Sequence, residues 1–175
     1  MERCGSTYAE IPAQPSGLRD SPSIMPTDYL LRLIEQIAAL LAGILAKMKG
    51  GQYPAARLEI DHTCLTHIGL SMSDVKQRSP ESLAEHLSHS GPLKIQRSIL
   101  LAELLLQDAE LCDRDANETG AVLSRMHAFC LLTSSIDSLD QSEQTAYRAK
   151  LAQIAEQLKP FATHPYLVDK LSLDS

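Results

Sequence analysis

A chain of 175 residues, of which 44% are hydrophobic, is long enough to bury the core of one domain without disulfides or metal ions. Aromatic residues make up only 4% of the chain, which favours a helical core because strands prefer β-branched and aromatic side chains. The net charge of −6 and the few aromatic rings argue against nucleic-acid binding, since phosphates would be repelled and exposed bases would find few rings to stack on.

Residues 1–26 contain four prolines interleaved with serine and glycine, and they show no apolar periodicity. We therefore predict a disordered N-terminal leader over 1–26 and a single helical domain over 27–172. The leader lacks the pattern of an export signal, and the longest apolar run, from Ile37 to Ala46, is too short to span a bilayer. These features predict a cytoplasmic protein without membrane contact, and four separated cysteines without a CxxC pair fit a reducing compartment.

The first predicted helix covers 28–49 and carries an apolar stripe at spacings of three and four residues. The stripe consists of Leu30, Ile34, Ile37, Leu41, Ile44 and Met48. Gly50 and Gly51 end this helix, and a second helix starts at Tyr53 and Pro54 and ends at Gly69. Because the link is so short, the two helices are predicted to form an antiparallel hairpin.

Four further helical segments follow along the chain. Residues 70–78 are ambiguous and contain one possible helical turn, and a short helix begins at Ser79 and Pro80. The next helix, 93–113, is apolar around nearly its whole circumference and is predicted to be the centre of the core. A helix capped by Asn117 returns along it as a second hairpin. An amphipathic helix then starts at Asp140 or Ser142 and runs to about Lys159.

Glu103 is the only polar residue in the apolar run from Ile99 to Leu106. Because glutamate is rarely fully buried, we expect Glu103 to lie on a narrow solvent-facing edge of its helix. The alternative is a buried carboxylate, which would need a partner.

The histidines and cysteines do not form a recognisable metal or catalytic motif. His62 and His67 are five residues apart and diverge on a helix, whereas His86 and His89 fit the negative end of a short helix. His127, three residues before Cys130, is the one local candidate for activating a thiol, but structural thiols are expected in so apolar a context. We therefore predict no catalytic residue, no metal site and no cofactor, although an enzyme is not excluded.

The sequence GQYPAA at 51–56 resembles the Gly-x-Tyr-x-x-Ala turn of tetratricopeptide repeats, and ANETGA at 116–121 is similar to the same turn. More specifically, residues 28–132 resemble a group of uncharacterised bacterial proteins with tetratricopeptide-like helices. The resemblance implies an all-α fold of antiparallel helical hairpins in a right-handed stack with an irregular period. It also implies a cytoplasmic location, and it transfers no catalytic residue.

Three hypotheses on function remain. The first is a non-enzymatic module that binds a protein or peptide in a groove lined by polar residues of the first and the central helix. These are Arg32, Glu35, Gln36, Arg97, Glu103 and Gln107. The second is a protein that binds a small molecule or metal, possibly an enzyme, with a pocket between the hairpins near Glu103 and His127. The third is a homodimer formed through the first helix, whose small residues otherwise serve packing within the chain.

Overall fold

The computed structural model describes residues 27–89 and 93–161, with side chains from Glu35 onward, and these residues form helices joined by short turns. The helices are α1 (Thr27–Lys49), α2 (Tyr53–Ile68), α3 (Met72–Gln77), α4 (Pro80–Ser88), α5 (Lys94–Arg114), α6 (Glu118–Ser135) and α7 (Gln141–Leu158). No strand occurs in the described ranges, so the all-α prediction is confirmed. The predicted leader and the predicted end of the domain, 162–172, lie outside the described residues.

The turn between α1 and α2 reverses the chain in three residues. Gly51 adopts a positive φ of 73°. The backbone N–H of Gln52 donates to the carbonyl of Lys47 at 2.8 Å, and that of Gly51 to the carbonyl of Met48 at 3.0 Å. This hydrogen-bond pattern satisfies carbonyl groups that the end of a helix would otherwise leave unpaired. The first hairpin is therefore formed as the sequence predicted.

The turn between α5 and α6 has the same hydrogen-bond pattern without a glycine. Ala116 adopts a positive φ of 54°. The backbone N–H of Asn117 donates to the carbonyl of Cys112 at 2.8 Å, and that of Ala116 to the carbonyl of Asp113 at 3.1 Å. The Asn117 side chain then caps α6 by accepting a hydrogen bond from the Gly120 N–H at 3.0 Å. The two hairpins thus share their turn geometry, while their tetratricopeptide-like stacking stays a prediction.

Ala116→Gly is expected to stabilise the protein by about 1 kcal/mol, because a residue with a Cβ is strained at positive φ and glycine is not. Urea denaturation of the two proteins measures the difference in the free energy of unfolding. Ala42→Gly, at an exposed position inside α1, is the control and should destabilise the protein by a similar amount, because glycine disfavours a helix interior. An Ala116→Gly protein less stable than wild type would show that the turn relaxes out of this geometry.

α5 lies at the centre of the fold and contacts α1, α2, α4 and α6. Its side chains are buried on most sides, including Leu101, Leu104 and Leu105, as its apolar circumference predicted. The most extensive helix-to-helix contact joins α5 to α6. α7 packs mainly on α6 and buries only Ile154 and Leu158, so it is the least firmly packed of the later helices.

Candidate functional site

A cleft opens between α2, α3 and the C-terminal half of α5, with a cavity volume of about 790 Å³. We call it the α2–α3 cleft. Its lining residues are Tyr53, Pro54, Arg57, Leu58, Ile60, Asp61, Met72, Ser73, Lys76, Asp108 and Asp115. The volume is within the range of pockets that take a small ligand or a side-chain-bearing segment of a partner.

Local backbone chemistry holds α3 against α2 to form this cleft. Gly69, with φ of 83°, ends α2, and Ser71 then caps α3 by accepting a hydrogen bond from the Asp74 N–H at 3.1 Å. Asp61 of α2 reaches across and accepts a hydrogen bond from the Met72 N–H at 2.8 Å. A negative charge at the start of a helix is favourable, so Asp61 fixes α3 in place.

Asp108 of α5 lies at the base of the cleft and is only 3% exposed. Its Oδ2 accepts a hydrogen bond from Ser124 Oγ at 2.7 Å and forms an ion pair with Lys76 Nζ. Cys112 Sγ lies 3.7 Å from the same oxygen, and Arg57 Nη1 lies 3.7 Å from Oδ1. A buried carboxylate is stable only with such partners, so Asp108 joins α2, α3, α5 and α6 at one point.

Sequence reasoning missed Asp108, Lys76 and Arg57. Asp108 follows the apolar run of α5, and its position in the sequence does not show that it contacts Lys76 of α3 and Ser124 of α6. Lys76 is in the stretch that the sequence left ambiguous. The available signal was a charged residue on a helix predicted to be buried, and among those residues a buried position was weighed for Glu103 and not for Asp108.

The mouth of the cleft is unusually apolar for a surface. Leu58 is 74% exposed and lies beside Pro54 on the outer face of α2. Leu65, two turns further along the same helix, is 54% exposed but does not line the cleft. The aromatic ring of Tyr53 also lines the cleft, and the Arg114 guanidinium stacks over this ring, 3.7 Å from its centre.

Charges in the cleft are largely paired with one another. Arg57 Nη2 donates to Asp115 Oδ2 at 2.5 Å, both side chains being well exposed, and Lys76 is paired with Asp108. Three carboxylates and two cations line the cleft, so its formal charge is negative.

A second, smaller cavity of about 220 Å³ lies between α5, α6 and α7, and we call it the polar cavity. Glu103 lines it, is 6% exposed, and forms an ion pair with Lys150 of α7. The expectation that Glu103 faces solvent is therefore wrong, because a partner from α7 makes its burial possible. Tyr147 also hydrogen-bonds Glu103, and burial together with the Glu103 charge raises the pKa of Tyr147.

The residues predicted to line a partner groove are dispersed. Glu35 and Gln36 are exposed on α1, and Arg97 is half-buried near the start of α5. Glu103 and Gln107 are buried and line the polar cavity, which does not include the other predicted residues. The side chain of Arg32 lies outside the described part of the structure. Glu103 and Gln107 therefore share one cavity, Glu35 and Gln36 lie at the surface, and the partner groove stays a prediction.

Three of the histidines that the structure describes lie within hydrogen-bond distance of backbone carbonyls. His127 is buried, with Nδ1 2.7 Å from the Leu123 carbonyl and Nε2 2.8 Å from the Arg78 carbonyl, and it does not line the polar cavity. His86 Nε2 lies 3.2 Å from the Ile68 carbonyl, and His89 Nδ1 lies 2.8 Å from that of Glu85. Among the side chains that the structure describes, no group of three His, Cys, Asp or Glu is placed to hold a metal ion.

Cys64 of α2 is fully buried behind the cleft. Burial, with smaller contributions from the negative charges of Asp61 and Asp108, raises the pKa of its thiol to about 12. A thiol with so high a pKa is a poor nucleophile near neutral pH, so Cys64 acts as a small core residue.

Comparison of the chain with protein-family models, with curated proteins and with solved structures gave no match. In the part of the chain with described coordinates, none of the helices has the length and apolar character needed to cross a bilayer. The described residues thus form an all-α fold with a sizeable cleft between α2, α3 and α5.

Proposed function

We propose that the chain is a non-enzymatic module for protein–protein interaction, and that the α2–α3 cleft receives a segment of the partner protein. The observation that carries this proposal is the exposure of Leu58 at the mouth of the cleft, beside Pro54, Met72 and the Tyr53 ring. Leucine at three-quarters exposure next to other apolar side chains is a typical anchor point for a partner, because covering it removes apolar surface from water.

The charges of the cleft define the chemistry of the segment. Asp61, Asp108 and Asp115 outnumber Arg57 and Lys76, so the cleft favours a segment with net positive charge. The Asp115 carboxylate is the most accessible of the three, with its side chain 60% exposed. A partner segment satisfies both features if it has an apolar side chain for the Leu58 surface and a lysine or arginine that shares the Asp115 carboxylate with Arg57.

The hydrogen bonds of the cleft support binding over proton transfer. Lys76 is engaged by Asp108, and Asp61 is engaged by the Met72 N–H. A general acid or base has to exchange protons with a substrate, whereas these groups hold helices together. The same network keeps the cleft rigid, which reduces the ordering cost of binding a segment.

Leu58→Asp tests this proposal, with Leu65→Asp as a matched control on the same helix. A photo-crosslinking residue at position 58 identifies the partner segment in cells, and titration calorimetry then measures its affinity for purified protein. Leu58→Asp should weaken that affinity roughly tenfold or more, because it places a charge on an apolar contact. Leu65→Asp should leave the affinity within a factor of about two, since Leu65 lies outside the cleft.

Equal affinities of the two variants, or crosslinks no more abundant at position 58 than at position 65, would count against the cleft. A segment that lacks either an apolar anchor or a basic residue would contradict the proposed recognition chemistry.

Self-association through α1 is a second candidate, and one observation favours it. The small residues of α1 were expected to pack within the chain, but all five are exposed. They are Ala38, Ala39, Ala42, Gly43 and Ala46. That packing expectation is wrong, because α2 and α5 cover the opposite stripe of Ile37, Ile44 and Met48. The mass in solution, measured by light scattering, decides whether this surface joins two copies.

A further inference from the structure

The α2–α3 cleft already contains a basic side chain of its own at the carboxylate that is most accessible to a partner. Arg57 of α2 donates from Nη2 to Asp115 Oδ2 at 2.5 Å, and its Nη1 lies 3.7 Å from Asp108 Oδ1. The Arg57 guanidinium therefore occupies the position that a basic residue of a partner segment would take.

The ion pair between Arg57 and Asp115 is at the surface, so it can open without disturbing the fold. The Arg57 side chain is 44% exposed and that of Asp115 is 60% exposed. Ion pairs between such exposed groups are weak, because water screens both charges. Asp108 differs, since its buried carboxylate keeps Lys76 and the Ser124 hydroxyl as partners when Arg57 moves away. A partner segment thus meets a weakly held competitor at Asp115.

Arg57 uses one of the two carboxylate oxygens of Asp115. Its hydrogen bond goes to Oδ2, and among the described residues Oδ1 has no hydrogen-bond partner. A lysine ammonium needs only one oxygen, whereas an arginine guanidinium binds a carboxylate most strongly through two parallel N–H···O bonds. With Arg57 in place, an arginine of a partner cannot form both of these bonds.

We infer, on the basis of the function proposed above, that Arg57 is a built-in competitor that weakens the cleft for basic segments and makes it favour lysine over arginine. An incoming lysine shares Asp115 by donating to Oδ1, whereas an incoming arginine has to displace Arg57 to reach both oxygens. Removing the charge of Arg57 makes the cleft more negative and frees both oxygens. Affinity then rises for either basic residue, and it rises most for arginine.

Arg57→Met tests this inference, because methionine is also unbranched but carries no charge. The probes are the acetylated tripeptide amides Leu-Gly-Lys and Leu-Gly-Arg, with Leu-Gly-norleucine as the uncharged comparison. Binding to the full-length protein is measured from the backbone amide NMR signals of Leu58 and Asp115, a method that resolves weak affinities. Wild type should bind the lysine peptide at least as tightly as the arginine peptide, and the norleucine peptide more weakly than either.

Arg57→Met should tighten the binding of the arginine peptide roughly tenfold and that of the lysine peptide only about threefold. Arg57→Gln, which also lacks the charge, should show the same gains. Arg148→Met is the matched control, because it removes the same charge from an exposed position of α7 outside the cleft. It should leave both affinities within a factor of about two. Adding Asp115→Asn to Arg57→Met should remove most of the gain, because the carboxylate is then absent.

Unchanged affinity for the arginine peptide in Arg57→Met, or equal gains for the two basic peptides, would overturn the role of Arg57. The proposed function would stand in that case if Leu58→Asp still weakens the binding of both peptides. Failure of wild type and Arg57→Met alike to bind any of the three peptides would overturn the role of Arg57 and would count against the recognition chemistry of the proposed function as well.

Discussion

Replacing Asp108 with alanine is expected to lower the free energy of unfolding by at least about 3 kcal/mol. The carboxylate is the partner of both the Lys76 ammonium and the Ser124 hydroxyl, and Ser124 is fully buried. Without Asp108, the hydroxyl loses its acceptor and the ammonium loses its counter-charge in a partly desolvated position. Urea denaturation followed by circular dichroism measures the loss.

Asp113→Ala is the matched control for this prediction, because it removes the same side chain from the same helix at an exposed site. Asp113 is 47% exposed, and its partner Arg125, which is 14% exposed, keeps its hydrogen bond to Gln157, so the loss should cost no more than about 2 kcal/mol, less than that of Asp108→Ala. A double-mutant cycle with Lys76→Met should then give a coupling energy of about 1 kcal/mol or more between positions 76 and 108. If Asp108→Ala proves no more destabilising than Asp113→Ala, Asp108 is not the junction that the structure indicates.

Alkaline conditions are expected to destabilise the protein through Cys64. Its pKa is raised from 9.0 to about 12 in the folded protein, so between these values the folded state retains a proton that the unfolded state releases. The associated stability is therefore complete below about pH 9 and is lost as the pH rises toward 12. At about 1.4 kcal/mol for each unit of pKa shift, the loss approaches about 4 kcal/mol.

Cys64→Ala isolates this contribution, because alanine has no proton to lose. Stability measured by urea denaturation at several pH values should fall less steeply above pH 9 in Cys64→Ala than in wild type. Tyr147 adds a second contribution above its ordinary pKa of 10.0, so the double variant Cys64→Ala/Tyr147→Phe should have the flattest profile. Parallel profiles of wild type and Cys64→Ala would contradict the raised pKa of Cys64.

Local sequence patterns predicted most helix positions. The helix predicted from Tyr53 to Gly69 is observed as α2, and Asn117 caps α6 as expected. Of the two residues proposed to start the last helix, Asp140 is the cap of α7. These predictions succeed because apolar spacing and capping depend on neighbours within one or two turns. The stretch at 70–78, which the sequence left ambiguous, forms α3. Besides the Ser71 cap, the Asp61 carboxylate accepts a hydrogen bond from the Met72 N–H in the first turn of this helix.

The candidate sites depend on distant neighbours, and sequence patterns do not give those. Glu103 was expected at the surface from the general rarity of buried glutamate, but Lys150, 47 residues away, neutralises it. The α2–α3 cleft likewise arises where residues from three helices meet, and neither Leu58 nor Asp115 has a local feature that indicates it. The predicted groove was placed by analogy with a fold, which does not fix where a site lies.

The light packing of α7 has a consequence for how often the interior beneath it is exposed to solvent. Ile154 and Leu158 are the buried residues of this helix, and Lys150 adds an ion pair to Glu103, whereas α5 is enclosed on most of its sides. The free energy needed to detach α7 alone is therefore much lower than that of global unfolding. The other helices stay folded while α7 is detached. Each such opening exposes the Glu103–Lys150 ion pair to water, so the amide hydrogens of α7 exchange with solvent faster than those of α5.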